Sequence, residues 1–359
     1  VRRFAVIALL LLSLPLAVVW WQYRSTYRDE GARADYLEIE EPATVDPHHP
    51  ALRRGGVPIL CYHYLRGTPG PVYFLRVLGA VLFNLPTLKE REYWTTRTEL
   101  FERQMQWLVD HGYTTIDLDE LADILEGKTE GPSKPVVITF DDGDRSVERY
   151  ALPVLRRRKM KATILVVTSK VGRRWQDVAT LDWDELKGLE QSGVFEVESH
   201  THDMHYKVKS KKGRMTPVFL AEVPDKGPPR PQGEIFVRMD LRESRRILRD
   251  RLGHAARWLA WPYGWASSTL DSLARREGYR GSLSLAAGTN RPGRDSTWHL
   301  SRITITARTG MQDFIDLMLA SSGEDLSDSS PRDEIAARAD PAATTGAPEA
   351  AGSTSRNGP

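Results

Sequence analysis

Residues 137–143 read Val-Ile-Thr-Phe-Asp-Asp-Gly, an apolar strand that runs straight into two adjacent carboxylates, Asp141 and Asp142. Asp is depleted in strands, and neighbouring carboxylates repel each other unless a positive group lies beside them. Such a pair suits a metal, a catalytic base, or both. A second apolar run, 194–198, leads into Ser199-His200-Thr201-His202-Asp203-Met204-His205. One acidic and one histidine-rich strand end can together supply the ligands of a single divalent metal. Two imidazoles and a carboxylate on one side of an ion leave a position open for water, a donor set open to Zn, Fe, Co, Ni and Mn.

Spacing alone leaves the choice of histidines open. His200 and His205 are five residues apart, about 140° round a regular helix, so they converge only if the chain bends between them. His202 and His205, three apart, would share one face of a helical turn. His200 and His202 would share one side of a continued strand. Of the two carboxylates, one can hold the metal while the other takes a proton from water, and the ion itself lowers the water's pKa and polarises a carbonyl. By itself an Asp-Asp-Gly sequence reads better as a strand-terminating turn or a helix cap. The histidine cluster tips the reading to a metal site.

The elements that must position these residues alternate. Apolar, β-branched or aromatic runs occur at 57–64, 136–140, 161–167, 194–198, 258–261, 280–285 and 302–306. Stretches with helical spacing lie between most of them: 99–111, 147–158, 183–191, 239–252 and 267–277. Asp182, with Glu185 three residues on, marks a helix start, and Gly193 and Gly278 close two helices. The pattern predicts an α/β fold, a parallel (β/α) barrel that is incomplete or deformed, with its chemistry where the strands end. Two segments interrupt the alternation. Residues 71–83 predict an extra helix, packed on the core or serving as an apolar lid or membrane-resting helix, too short and charged to span a bilayer. Lys207, Lys209, Lys211, Lys212 and Arg214 read as a solvated loop.

Composition bounds the rest. Apolar residues make up 40% and charged residues 27%, ordinary for a globular core, and the net charge of +2 singles out no nucleic-acid partner. One cysteine, Cys61, rules out an intrachain disulfide framework and a thiolate zinc site. Arg2 and Arg3 precede an uncharged run from Phe4 to Trp21, about 27 Å long as a helix and barely enough for a bilayer core. Trp20 and Trp21 suit a membrane interface, and no clear small-x-small cleavage site precedes them. The expected organisation is a membrane anchor or signal segment at 1–23, a linker at 24–54, a catalytic domain at 55–320 and a disordered tail at 321–359.

The motifs Thr139-Phe140-Asp141-Asp142-Gly143 and His200-Thr201 resemble the first two motifs of the polysaccharide deacetylase family of carbohydrate esterases. The similarity is greatest to the branch of bacterial poly-β-1,6-N-acetylglucosamine N-deacetylases, where the second histidine follows the first by five residues, as His205 does. Residues 57–63, Gly112-Tyr113, residues 240–244 and Leu259-Ala260-Trp261-Pro262-Tyr263-Gly264 match that branch as well. The resemblance covers roughly residues 55 to 320. It implies a deformed (β/α)7-type barrel, Asp141 as general base, and Asp142, His200 and His205 as ligands of one divalent ion, with zinc foremost. It also implies a groove lined by His63, Pro262, Tyr263 and Gly264. Taken alone, His63 is a strand-end histidine.

The implied activity is removal of N-acetyl groups from an extracytoplasmic polysaccharide, poly-β-1,6-N-acetylglucosamine or a related amino-sugar glycan. The protein would be membrane-anchored, or secreted if the N-terminal segment is cleaved, and beside a polysaccharide synthase or export machinery. Two departures stand out. Ala260 and Trp261 occupy the place where many members carry an arginine that orients the base. Leu300-Ser301-Arg302 stands where many carry a Leu-x-His whose histidine protonates the leaving amine, and His299 is out of register. The general acid is therefore unassigned. The alternative is a catalytically impaired barrel that binds a glycan or a synthase. Phosphoryl transfer at Asp141 lacks the Asp-x-Asp spacing, and Cys61 in an apolar strand reads as a packed, inert thiol.

Overall fold

Short β-branched and aromatic runs become seven parallel strands wrapped round a small apolar interior. The computed structural model describes residues 46, 49–52, 56–67, 92–175, 178–209, 215–222 and 231–322. The chain enters through β1 (Ile59–Tyr62) and β2 (Tyr64–Arg66), and β3 (Thr95–Arg97) pairs with β2 before passing into α1 (Thr98–Asp110). β4 (Thr114–Thr115) and α2 (Leu118–Leu125) precede β5 (Pro135–Phe140). A π-turn at Val147–Ala151 continues into α3 (Leu152–Arg157), followed by β6 (Ala162–Val166) and the antiparallel pair β7 (Arg174–Trp175) and β8 (Val178–Ala179). Next come α4 (Trp183–Gln191), β9 (Phe195–Ser199), the hairpin β10 (Lys207–Lys209) with β11 (Met215–Pro217), and α5 (Val218–Glu222). α6 (Pro231–Leu252), β12 (Trp258–Ala260), α7 (Ser268–Arg276), β13 (Gly281–Leu283), β14 (Ile303–Thr304) and α8 (Met311–Ser322) complete the order.

The main sheet runs β13-β12-β9-β6-β5-β1-β14, parallel throughout, with β4 added beside β5. Leu300 bridges Leu283 of β13 while Ile303 pairs with Leu60 of β1, so residues 300–304 join the two ends of the sheet. The deformed barrel expected from the alternation is thus present, and all seven predicted strand runs lie in it. Period-two alternation sorts the strand residues. Leu60, Ile138, Ile164 and Val197 face the helices in one apolar cluster, while Ile59, Val137, Leu165, Ala260 and Leu283 fill the interior. α2 plugs one end of that interior with Leu118, Leu121, Ala122, Ile124 and Leu125. Burying each such leucine or isoleucine contributes roughly 1.5–3 kcal/mol. The opposite end, where the strands finish, is left for polar side chains.

Several boundaries differ from the sequence reading. α2 was not expected, although Asp117 and Glu120 form a reciprocal cap at its start, like that of Asp182 and Glu185 on α4. The expected helix at 147–158 is split, because Pro153 has no N–H for the carbonyl four residues earlier and the chain opens into the π-turn. α6 begins eight residues before Met239, at Pro231, a residue suited to a first helical position. Lys207 and Lys209, read as loop, form a strand, since Tyr206, Val208 and the facing Thr216 support extended pairing. α8 continues to Ser322, with the Ser321 and Ser322 hydroxyls donating to Met318 O and Leu319 O at 2.7 and 2.8 Å. The expected anchor at 1–23, the helix at 71–83, Lys211, Lys212, Arg214 and residues 323–359 lie outside the described residues. Among the described residues no helix is long and apolar enough to cross a membrane.

Candidate metal centre and active site

β5 delivers Asp141 and Asp142 to the open end of the barrel, and β9 delivers His200 beside them. Asp142 adopts a left-handed conformation (φ 71°), which turns its carboxylate away from that of Asp141. Thr201 does the same (φ 73°), bending the chain after His200 so that His205 returns to it. Asp142 Oδ1 lies 3.7 Å from His200 Nε2 and 3.5 Å from His205 Nε2. The three ligand atoms lie within 4.8 Å of one another. His202 is not part of this group. Its Nδ1 faces Thr168 Oγ1 at 3.0 Å, on the other side of the loop.

Hydrogen bonding decides what the group can hold. His200 Nδ1 lies 2.7 Å from the carbonyl of Ala260, an acceptor only, so Nδ1 carries the proton and Nε2 presents a lone pair. Asp142 Oδ2 accepts from Tyr64 OH at 2.7 Å, but Oδ1, also buried, has no hydrogen-bond partner. A lone pair and a carboxylate oxygen facing each other without a proton between them are stable only with a cation there. Burial holds His205 neutral, its pKa down at about 4 despite the charge of Asp142. The donor set therefore fits one divalent metal with an open position.

The neighbouring Asp141 meets a different fate. Arg302, fully buried, donates Nη1 to Oδ1 and Nη2 to Oδ2, both at 2.8 Å, and its Nε donates to Ser284 O at 2.7 Å. Burial alone would raise the pKa of Asp141, but Arg302, with help from His200 and His63, holds it well below the usual carboxylate range. Cys61, His63 and Asp141 form a second close group of possible ligands. The guanidinium on both Asp141 oxygens and the raised pKa of the buried Cys61 thiol make it unsuited to a cation.

Among the remaining expected residues, His63 is brought to this end and stacks on Trp94, ring centroids 4.1 Å apart. Burial lowers its pKa, with Asp141 and Asp142 opposing. The Pro262-Tyr263-Gly264 turn is also present at the centre. The Tyr263 ring lies 4.5 Å from that of His205, and Lys207 Nζ lies 4.7 Å above Tyr263. Gly264 (φ 70°) closes the turn against Leu285, where a Cβ would sit 2.4 Å from another carbon. Trp175 meets the opposite side of His205 edge-on at 4.9 Å. His299 is turned outward instead, its Nδ1 3.0 Å from Asp271 Oδ2.

Four residues here escaped the sequence reading as site residues: Arg302, Tyr64, Asp240 and Trp94. Arg302 carried a signal, because an arginine within an apolar barrel strand must find an acid. It supplies from β14's approach the arginine that Ala260 and Trp261 do not; Ala260 gives His200 its carbonyl, and Trp261 Nε1 donates to Asp271 at 2.9 Å. Asp240, on α6, accepts the backbone N–H groups of His202 and Asp203 at 2.7 Å each, one on each carboxylate oxygen. A cleft of about 700 Å³ lies behind this loop, lined by His202, Trp183 and Arg246 among others. It contains none of the metal-facing atoms.

Residues 128–282 match the family model for polysaccharide deacetylase. Over that stretch the chain is similar to this family. It is 24% identical over 282 residues to the poly-β-1,6-N-acetyl-D-glucosamine N-deacetylase of Staphylococcus aureus, a match that spans 75% of this chain and 89% of that one. The solved structure of IcaB from Ammonifex degensii is 28% identical, with a TM-score of 0.59 over 75% of this chain and 97% of that one. A de-N-acetylase from Aggregatibacter actinomycetemcomitans shares the fold at 20% identity, with a TM-score of 0.57 over 73% and 99% of the two chains. The Asp142, His200 and His205 cluster lies at the strand ends, where a barrel of this kind carries its chemistry.

Proposed function

We propose that this chain is a metal-dependent hydrolase that removes N-acetyl groups from an extracytoplasmic amino-sugar polymer, poly-β-1,6-N-acetylglucosamine or a close relative. The observation that carries the reading is the unprotonated meeting of Asp142 Oδ1 and His200 Nε2 beside His205, next to a second carboxylate held by Arg302. The named activity of the Staphylococcus aureus relative supports the choice of polymer.

A divalent ion held by Asp142, His200 and His205, zinc or otherwise iron, cobalt, nickel or manganese, would acidify a water and polarise the amide carbonyl. Asp141 takes the proton from that water. Arg302 occupies one lone pair on each Asp141 oxygen; Oδ2 also accepts weakly from the Cys61 thiol at 3.8 Å, and Oδ1 keeps a lone pair to accept. Arg302 also makes Asp141 a weak base, which hands its proton on readily. His63, in the same close group as Asp141, provides the proton for the departing amine. Acetate leaves, and the sugar keeps a free amine. Tyr263 and the Pro262–Gly264 turn border the groove for the sugar ring.

The catalytic domain is assigned to residues 55–322, the end moved from 320 to include the last turn of α8, with an anchor or cleavable signal at 1–23, a linker at 24–54 and a tail after it. The apolar run from Phe4 to Trp21 supports a catalytic domain outside the cytoplasm, at the membrane near a polysaccharide synthase or exporter. The rival reading, a glycan- or synthase-binding barrel without catalysis, is motivated by the missing arginine and the missing Leu-x-His; Arg302 answers the first and leaves the second. The test is acetate release from β-1,6-linked N-acetylglucosamine oligomers after chelation and after return of each metal. Metal-dependent release is the expected result. Stoichiometric metal with no acetate from any acetylated glycan would favour the binding role.

A further inference from the structure

Tyr64 is a buried tyrosine, 3% exposed, on the strand that extends the first barrel strand past His63. Its ring has no part in the metal-facing group, yet its hydroxyl donates to Asp142 Oδ2 at 2.7 Å, the length of a charge-assisted O–H···O⁻ bond. The two oxygens of Asp142 are thereby made unequal. Oδ2 is engaged by the phenol, and Oδ1, without any hydrogen bond, faces the two imidazoles.

We propose that Tyr64 is a positioning residue that limits Asp142 to one-oxygen ligation of the metal. The inference rests on the metal reading given above. Two imidazole nitrogens and one oxygen fill three positions, so a four-coordinate ion keeps one for the reacting oxygen. A carboxylate free to chelate through both oxygens would fill that last position. The phenol bond prevents this, since a metal on Oδ2 would have to displace a buried hydrogen bond to an ionised group, worth roughly 1.5–3 kcal/mol.

The test uses the cobalt-loaded protein. Co²⁺ reports its coordination number through its visible absorption, which weakens as ligands are added. Tyr64→Phe keeps the ring and removes only the hydroxyl. The expected result is a weaker, shifted band for Y64F at full Co²⁺ occupancy. A band identical to wild type overturns the inference, whatever the affinity, and so does a folded Y64F that takes up no Co²⁺. Should Y64F not fold, the infrared difference spectrum of the wild-type protein with and without Zn²⁺ decides the same point. A wide separation of the two carboxylate stretches indicates one-oxygen ligation; a narrow one overturns it. A wild-type protein that binds neither ion overturns the metal reading along with this one. Loss of the Tyr64 effect alone leaves that reading standing.

Discussion

Arg302 and Asp141 form a two-pronged ion pair inside the barrel, with both N···O distances at 2.8 Å and neither side chain more than 2% exposed. The pair joins the second strand of the barrel to the approach of the last. Arg302→Met leaves Asp141 buried and unpaired, and should cost about 3–5 kcal/mol of stability, read by urea denaturation. It also removes the influence that keeps Asp141 ionised. Burial then raises the aspartate pKa, so the acid limb of the activity profile should move to higher pH. An unmoved limb would mean that Arg302 does not tune the base.

Asp141→Asn should keep metal binding, since Asp142, His200 and His205 are untouched, and lose about 10²–10⁴-fold in kcat. Metal content by atomic absorption and acetate release on the same sample check both halves. An active, metal-loaded variant would contradict the base assignment.

His63 has a pKa below the ordinary histidine value because it is buried. If it must carry the proton for the leaving amine, kcat should fall as pH rises above that lowered value, about tenfold per unit. His63→Gln should lower kcat by about 10²–10⁴-fold and abolish that limb. A profile of unchanged shape at reduced height would assign His63 to packing against Trp94.

Asp240 reaches the metal ligands only through the backbone of the loop that joins them. Asp240→Ala frees two N–H groups between His200 and His205 and should weaken metal binding about 10–100-fold, measured by competition with a chelator. Asp240→Asn, with a single amide oxygen, should fall between the two. Equal affinities for all three would show that the bend at Thr201 holds without help.

Glu198, on β9 two residues before His200, offers a test of stability. It is buried, with its pKa pushed up to about 8 by desolvation, against the N–H bonds from Trp258 and Arg257 that oppose the shift. Its ordinary value is 4.5. A raised carboxyl favours the protonated fold, so its stabilising contribution is full below about pH 4.5 and is lost as pH rises through about 8. Thermal melts across that window should show wild type losing stability relative to Glu198→Gln, whose side chain does not titrate. Parallel curves would show Glu198 ionised throughout.

Legibility in the sequence followed range. Strands were readable because each is a local run of β-branched residues, and the caps of α4 because Asp182 and Glu185 sit one turn apart. The triad was readable as a set of candidates, but the choice of His205 over His202 depended on the left-handed turn at Thr201, a residue type that does not advertise that conformation. Gly67 to Thr98 gave no hint of Trp94 against His63. Arg302 was noticed as a departure, not as the arginine itself, because its partner is 161 residues away. α2 was passed over since its eight residues are short and its apolar face meets the inside of a barrel, a surface that exists only after closure.

The pairing of Arg302 with Asp141 carries a consequence for the order of events in the life of the chain. The aspartate is synthesised early and the arginine late, and they meet only when residues 300–304 bridge the first and sixth strands of the barrel. Until that seam shuts, the base has no guanidinium to hold it charged in an apolar surround. A nascent or truncated chain ending before the seam would be chemically silent, and the onset of hydrolysis would report that the ring is complete.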